Sequence, residues 1–374
     1  MIFRGILCGL FLSAPIVAAA QKMHLSDPNA TRETRNLYNN LNKLSSKSYL
    51  VGHQDALAYG VNWKYQDGRS DIKDVTGDQP GLFGWELGHL ENDAAVNIDT
   101  VPFAKMKRYI RKSYRDGAAI TISWHGGNPM TGKTAWDPEP GTVASILPGG
   151  AKHAVFVSQL DKIAAFLGSL KGSKGEAIPI LYRPFHELTG SWFWWGTKDA
   201  TPEQFKQLFR FTVHYLRNVK HLHNLIIVYN TGTEFSNDAE YLARYPGDDV
   251  VDVLSFDTYE RGNPETDGFG KDLSTHLSII EKLAKQKNKE AALAEVGFAQ
   301  VPYATWWTGI LAPALQGHHF AYILFWRNAG YKQDKSIEYY VPYKGQVSDA
   351  DFVKFYNLPQ TLFEKDAARL GLYR

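Results

Sequence analysis

Cysteine is almost missing from this 374-residue chain: Cys8 is the only one, and it lies in an apolar stretch at the very start. The remaining sequence has no thiol and no disulfide, so its stability must come from packing. About 350 residues are enough to bury a large core without covalent staples. Charge runs are the second thing lacking. The formal net charge of +2 is read as spread along the chain, which excludes the electrostatic footprint of nucleic-acid or membrane-surface binding and favours a neutral ligand. No internal repeat, low-complexity tract or linker is visible, so a single domain is expected.

A long apolar run occurs once, MIFRGILCGLFLSAPIVAAA at 1–20, with Arg4 in front and Ala18, Ala19 and Ala20 at its end. It reads as a secretory signal peptide cleaved before Gln21 and is too short and wrongly flanked for a membrane anchor. No small residues precede Cys8 in the way a lipid-attachment site requires. The expectation is an exported protein of a bacterial periplasm or the extracellular space, with residues 21–374 as its one domain and no membrane insertion once the signal is removed.

Aromatic residues, by contrast, are abundant: 13% of the chain, with ten tryptophans. They need either a core or a binding surface, and carbohydrate sites are one such surface. Eight short runs rich in β-branched and aromatic residues, at 48–54, 81–86, 118–125, 177–187, 225–232, 251–259, 291–298 and 320–328, read as buried strands. Helical patterns lie between most of them. The clearest spans 201–220, where Phe205, Leu208, Phe209, Thr212, Leu216 and Val219 keep a 3.6-residue spacing behind a Thr201, Pro202 and Gln204 capping signature. Further helices are expected at 102–115, 154–170, 271–287 and 349–368, the last capped by Ser348. Eight strands alternating with helices predict an α/β fold, a closed (β/α)8 TIM barrel with long strand-to-helix loops. The rival, an open doubly wound sheet, lacks its glycine-rich phosphate loop.

In such a barrel the carboxyl ends of the strands form the active face. Those ends carry His53 and Gln54, Glu86, Trp124 and His125, His186 and Glu187, Asn230, Asp257 and Tyr259, Glu295, and Trp326 and Arg327. Packing gives no reason for polar groups to gather at one end of every strand. Some have plain structural readings: Glu86 is as readily a hydrogen-bonded support as a catalyst, and His53 and Gln54 could tie the first loop. His318 and His319 fall on the far face as loop residues.

Glu187 and Glu295 end the fourth and seventh strands and would face each other across the mouth. Two carboxylates flanking a glycosidic bond are what acetal hydrolysis needs, one to protonate the leaving oxygen and one to attack the anomeric carbon or activate water. Glu187 sits in YRPFHELTGSWFWWG, 182–196, just before four consecutive rings. Four rings from one loop are not expected all to point inward, so one or two should be exposed for the apolar faces of sugars.

RPFHE with Trp192 five residues past its glutamate, SWHGGNP at 123–129, SFDTY at 255–259, AEVGF at 294–298 and FWRN at 325–328 together resemble glycoside hydrolase family 26, chiefly β-mannanases of a retaining (β/α)8 clan. The resemblance runs from GHQ at 52–54 through the eighth strand. It implies Glu187 as general acid/base and Glu295 as nucleophile. It further implies that Arg183 and Tyr259 hold the nucleophile, and that His125, His186, Trp192, Asp257, Tyr259, Trp326 and Arg327 lie around the substrate. The implied substrate is a β-1,4-mannan, galactomannan and glucomannan included, cleaved by a monomer without cofactor or metal. Mixed-linkage β-glucan, β-1,3-xylan or non-catalytic glycan binding are the alternatives. A metal-dependent barrel hydrolase would draw on His53, His125, His186 and Asp257, yet its usual first-strand pair of histidines is absent, since His53 is followed by Gln54 and Asp55. As an acid, Glu187 must rest protonated, which a neighbouring charged Glu295 and aromatic desolvation favour. Endo or exo action depends on the loops at 60–79 and 126–150, which are long enough to narrow the cleft.

Overall fold

All eight apolar runs form strands: Tyr49–Gln54, Leu82–Glu86, Ala119–Trp124, Ile180–Pro184, Leu225–Thr231, Val253–Glu260, Glu290–Phe298 and Tyr322–Phe325. This is a computed structural model describing residues 25–332 and 334–374, so the stretch read as an export signal lies outside the described residues. Each strand pairs in parallel with its sequence neighbours. The first also pairs with the eighth, from Leu50↔Tyr322 to His53↔Phe325, which closes the sheet into a (β/α)8 barrel.

Both faces of each strand are buried, so alternation sorts residues between two apolar compartments. Leu50, Leu82, Leu181, Ile226 and Leu324 fill the interior together with Leu37 and Leu41 of helix Arg32–Ser45. Val51, Phe83, Ile180, Ile227 and Phe325 face the outer helices. The interior leaves no room at Gly52, where an added Cβ would come 2.5 Å from Leu82 Cδ2.

One irregularity matters for the site. Phe256 pairs with Leu293 and Asp257 with Glu295, so Ala294 is an extra residue on the seventh strand. Leu293 and Val296, three apart, both join the outer compartment. Strict alternation would send Glu295 outward with Leu293. The bulge turns it into the mouth instead, the kind of re-aiming that bulges beside active sites perform.

Helices cover the barrel at Phe103–Asp116, His153–Gly168, Pro202–His214 and Phe269–Lys287, close to the expected ranges. Thr201 and Gln204 form the expected capping box, and the helix ends in a wider turn over Tyr215–Val219. The expected last helix is in fact two, Asp349–Tyr356 and Glu364–Leu370. Pro359 cannot donate within a helix, and Thr361–Leu362 instead adds a short strand beside Tyr49 and Leu50. Nor does Ser348 cap: its hydroxyl donates to Gln346 Oε1 and accepts from Trp307 Nε1. The even spread of charge also fails locally. Helix Phe103–Asp116 carries six basic residues against a single acid, Asp116. Among the described residues no helix is long and apolar enough to cross a membrane.

Candidate active site

Glu295 is held from two sides. The buried Arg183 guanidinium, from the fourth strand, donates to its Oε1 at 2.5 Å, and the Tyr259 hydroxyl donates to its Oε2 at 2.5 Å. Arg183 also donates to Asn230 Oδ1 at 3.0 Å and Asp257 Oδ2 at 3.2 Å. Burial opposes a charge on Arg183, but Glu295 and Asp257 outweigh it and hold the guanidinium protonated. A buried arginine with one missing partner would be left uncompensated, at a cost of roughly 3–5 kcal/mol.

Glu187 lies beyond the fourth strand, on backbone that turns left-handed at Phe185 (φ 55°) and again at Glu187 itself (φ 49°). Such conformations cost about 1–3 kcal/mol each and persist where packing over-determines them. Here the packing is explicit: Phe185 is buried against Trp124, Trp194, Trp195, Phe205 and Phe209. Burial first, and then the negative charge of Glu295, push the Glu187 carboxyl up to about 7. An oxygen of Glu187, one of Asp257 and one of Glu295 all lie within 4.8 Å of one another.

The four rings after Glu187 divide three to one. Phe193, Trp194 and Trp195 are buried, and only Trp192 is exposed, at 38%. Two of the buried rings are anchors: Trp194 Nε1 donates to the Gly126 carbonyl and Trp195 Nε1 to the His186 carbonyl, both at 2.9 Å. Trp192 turns to the cleft and donates from Nε1 to Glu187 Oε2 at 2.7 Å.

A second polar chain supports the mouth from behind. Glu86 is fully buried and accepts from Ser123 Oγ at 2.6 Å, the Gly88 N–H at 2.5 Å and the His125 N–H at 2.6 Å. It also pairs with His125 Nδ1 at 2.8 Å. Against the cost of burial, His125 and these donors pull the Glu86 carboxyl down to about 2, and Glu86 in turn raises His125. His186 is driven the other way by burial and by the charges of His125 and Arg183. The 2.9 Å contact between the two Nε2 atoms is therefore a donation from His125 to a neutral His186. Of the two readings open for Glu86, the supporting one is what the structure shows.

Other expected contacts sit differently from the sequence reading. Asp257 has no exposed side-chain surface and pairs with Arg183, the same guanidinium that holds Glu295. His186 is likewise buried and faces His125. Arg327 spans the loops after the second and eighth strands through Asp99 and Glu338 and is only partly exposed. Trp326 keeps some surface beside His125, with ring centroids 6.4 Å apart. His53 and Gln54 are buried. His53, His125, His186 and Asp257 form no common cluster: among the described residues the one group able to converge on an ion is Glu187, Asp257 and Glu295. The first long loop is pinned by Asp71, which accepts from the Val61 N–H, Trp63 Nε1 and Asn328 Nδ2.

Sequence reasoning missed Trp136. It is 48% exposed and stacks on His125 at 4.9 Å and 18°. Its only signal is a tryptophan within a polar loop, 126–150, that starts on a strand end.

A barrel mouth with a raised carboxyl facing an anchored carboxylate, and an exposed tryptophan bonded to the raised one, has the arrangement of a glycoside hydrolase. The chain belongs to glycosyl hydrolase family 26, whose sequence profile matches residues 26–311. A solved β-mannanase of that family from Bacteroides ovatus is 42% identical, with a TM-score of 0.87 over 92% of this chain and 98% of that one. A modular endo-β-1,4-mannanase from Cellulomonas fimi is 34% identical, with a TM-score of 0.84 over 93% of this chain and 79% of that one. Among curated relatives, a mannan endo-1,4-β-mannosidase from Bifidobacterium adolescentis is 34% identical over 89% of this chain. The chain spans 35% of that relative's length and 56% of a second mannan endo-1,4-β-mannosidase, from Thermothelomyces thermophilus.

Proposed function

We propose that this protein hydrolyses internal β-1,4-mannosidic linkages with retention of configuration, Glu187 acting as general acid/base and Glu295 as nucleophile. The single observation that carries the reading is the approach of the two carboxyl groups, with oxygens within 4.8 Å. Retaining enzymes keep their carboxyl groups about 5–5.5 Å apart, whereas inverting ones need about 6.5–9.5 Å to admit a water.

The chemistry follows from the environments. Glu187, raised to about 7, is protonated at mildly acidic pH and donates to the leaving oxygen. Glu295, held in place by Arg183 and Tyr259, attacks the anomeric carbon. Once its charge is consumed in the glycosyl-enzyme, the repulsion that raised Glu187 disappears, and Glu187 can take a proton from the incoming water. Trp192 and Trp326 supply ring surface for sugars. Mannan is favoured as the backbone because the printed names of the relatives above are mannanases and mannosidases acting on it. All the groups named come from one chain, so a monomer suffices. Export to the periplasm or outside the cell, proposed from residues 1–20, fits a polymeric substrate.

The decisive experiment is to follow β-mannan hydrolysis by proton NMR in the presence of a chelator. Initial release of the β-anomer from mannan is expected. Initial α-anomer would contradict double displacement, and turnover of mixed-linkage glucan or β-1,3-xylan with none of mannan would displace the substrate reading.

A further inference from the structure

The near-neutral total charge hides a strong local imbalance on the barrel's flank. A groove of roughly 1520 Å³ runs between helix Phe103–Asp116, the turn at 171–176 and residues 371–374, lined by eight basic and four acidic side chains. Its formal charge is thus +4, in a chain whose total is +2. The helix accounts for much of this: Met106, Ile110 and Ser113 are buried on the barrel, and Arg108, Arg111 and Arg115 recur at helical spacing on the outer side.

The acids of the groove are already engaged. Glu33 pairs with Arg32 at 2.8 Å, Asp67 with Arg108 at 2.9 Å, and Asp116 with Lys112 at 2.6 Å and Arg115 at 3.0 Å. Glu176 accepts from the Lys174 backbone N–H at 2.9 Å. Among the described residues no carboxylate pairs with Arg111, Lys171 or Lys174, although all three are exposed and border the same groove. Arg111 reaches only the Ser169 carbonyl, at 3.1 Å. Unbalanced like charge of this density opposes the compact state, and it is relieved by an anionic ligand.

We propose that this groove is a secondary docking site for a linear acidic polysaccharide, whose carboxylates are paired by Arg111, Lys171 and Lys174. Shape selects a chain over a membrane, because Arg111 on the helix and Lys171 and Lys174 on the turn border one recessed groove and do not form a flat raised face. Nucleic acid is disfavoured because its single strands bind through free ring faces. Here Tyr114 and Tyr373 pack edge to face on each other at 4.5 Å, and Tyr109 is stacked on Trp85. The groove shares no residue with the Glu187 and Glu295 site, so a docked chain leaves the mouth open. The inference stands independently of the mannan reading.

Affinity electrophoresis in gels containing polygalacturonate tests it, with mobilities referred to polymer-free gels. The wild-type protein is expected to be retarded at low ionic strength and released by salt. The triple variant Arg111→Glu, Lys171→Glu, Lys174→Glu is expected to bind on the order of tenfold more weakly, as the loss of three exposed charge contacts implies. It should keep wild-type hydrolysis of soluble manno-oligosaccharides, and the same three positions changed to Gln keep the comparison readable if charge reversal disturbs folding. Absence of wild-type retardation, or equal retardation of both proteins, overturns the proposal. Tighter wild-type binding to anionic phospholipid vesicles or to single-stranded DNA than to polygalacturonate overturns the choice of occupant.

Discussion

The Trp192 indole N–H donates to Glu187 Oε2 at 2.7 Å, so the one ring of its run that faces the cleft also touches the acid of the site. An indole can only donate, and donation to a carboxylate favours the ionised form. Trp192 therefore restrains the upward shift that burial and Glu295 impose on Glu187.

This relationship has a measurable sign. As an acid Glu187 works protonated, so kcat/KM should fall as pH rises through about 7. Trp192→Phe keeps a ring for stacking and removes the donor, which should raise the Glu187 carboxyl and move the alkaline limb to higher pH. A limb that stays put, or moves down, would show that the indole hydrogen bond does not tune the acid.

The two glutamates are separable by stereochemistry. Glu187→Ala should lose about 10²–10⁴ in rate on mannan, yet still be glycosylated by an activated aryl substrate, whose leaving group needs no proton. Azide should then restore turnover and release a β-glycosyl azide. Glu295→Ala forms no glycosyl-enzyme, and azide in the vacated space should give the α-configured product. Exchanged anomers, read by proton NMR, would reverse the roles.

Glu86 offers a test away from the reacting atoms. Its folded-state value, about 2, lies below the ordinary 4.5, so its stabilisation is fully present above pH 4.5 and is lost as pH falls through about 2. The shift corresponds to roughly 3 kcal/mol as an upper bound. Glu86→Gln should flatten the acid limb of the pH–stability curve and lower the His125 value followed by NMR. An unchanged His125 titration would show that the pair is not what holds that ring charged.

Trp136 and Trp326 should behave as ligand surfaces and not as core. Alanine at either should raise KM about two- to tenfold, the equivalent of roughly 0.5–1.5 kcal/mol of ring contact, with the thermal melt nearly unchanged. A collapsed melt would assign that ring to the fold.

Much of this was legible in the sequence because parallel barrel strands are continuous apolar runs, and their polar ends are visible as interruptions. Both glutamates were legible in that way. What remained hidden depends on partners. The bulge at Ala294 exists only in the register with Phe256 and Asp257, and a strand read alone would put Glu295 on the face of Leu293. The burial of Trp194 and Trp195 rests on the carbonyls of Gly126 and His186. The break in the last helix did have a local signal, Pro359, although the strand beside Tyr49 that replaces it is a long-range pairing. Asp257 shows the same limit. A strand-end carboxylate looks alike in sequence whether it meets a sugar or an arginine.

The pairing of the first strand with the eighth has a consequence in time as well as in space. Contacts between Leu50 and Tyr322 join segments separated by most of the chain, and such topology folds slowly because loop entropy is lost before the contacts form. Glu187 follows the fourth strand and Glu295 lies on the seventh, so their spacing is set only once the fourth to seventh strands have paired in register. Catalytic competence should therefore appear late and all at once during refolding, lagging behind the recovery of helical circular dichroism.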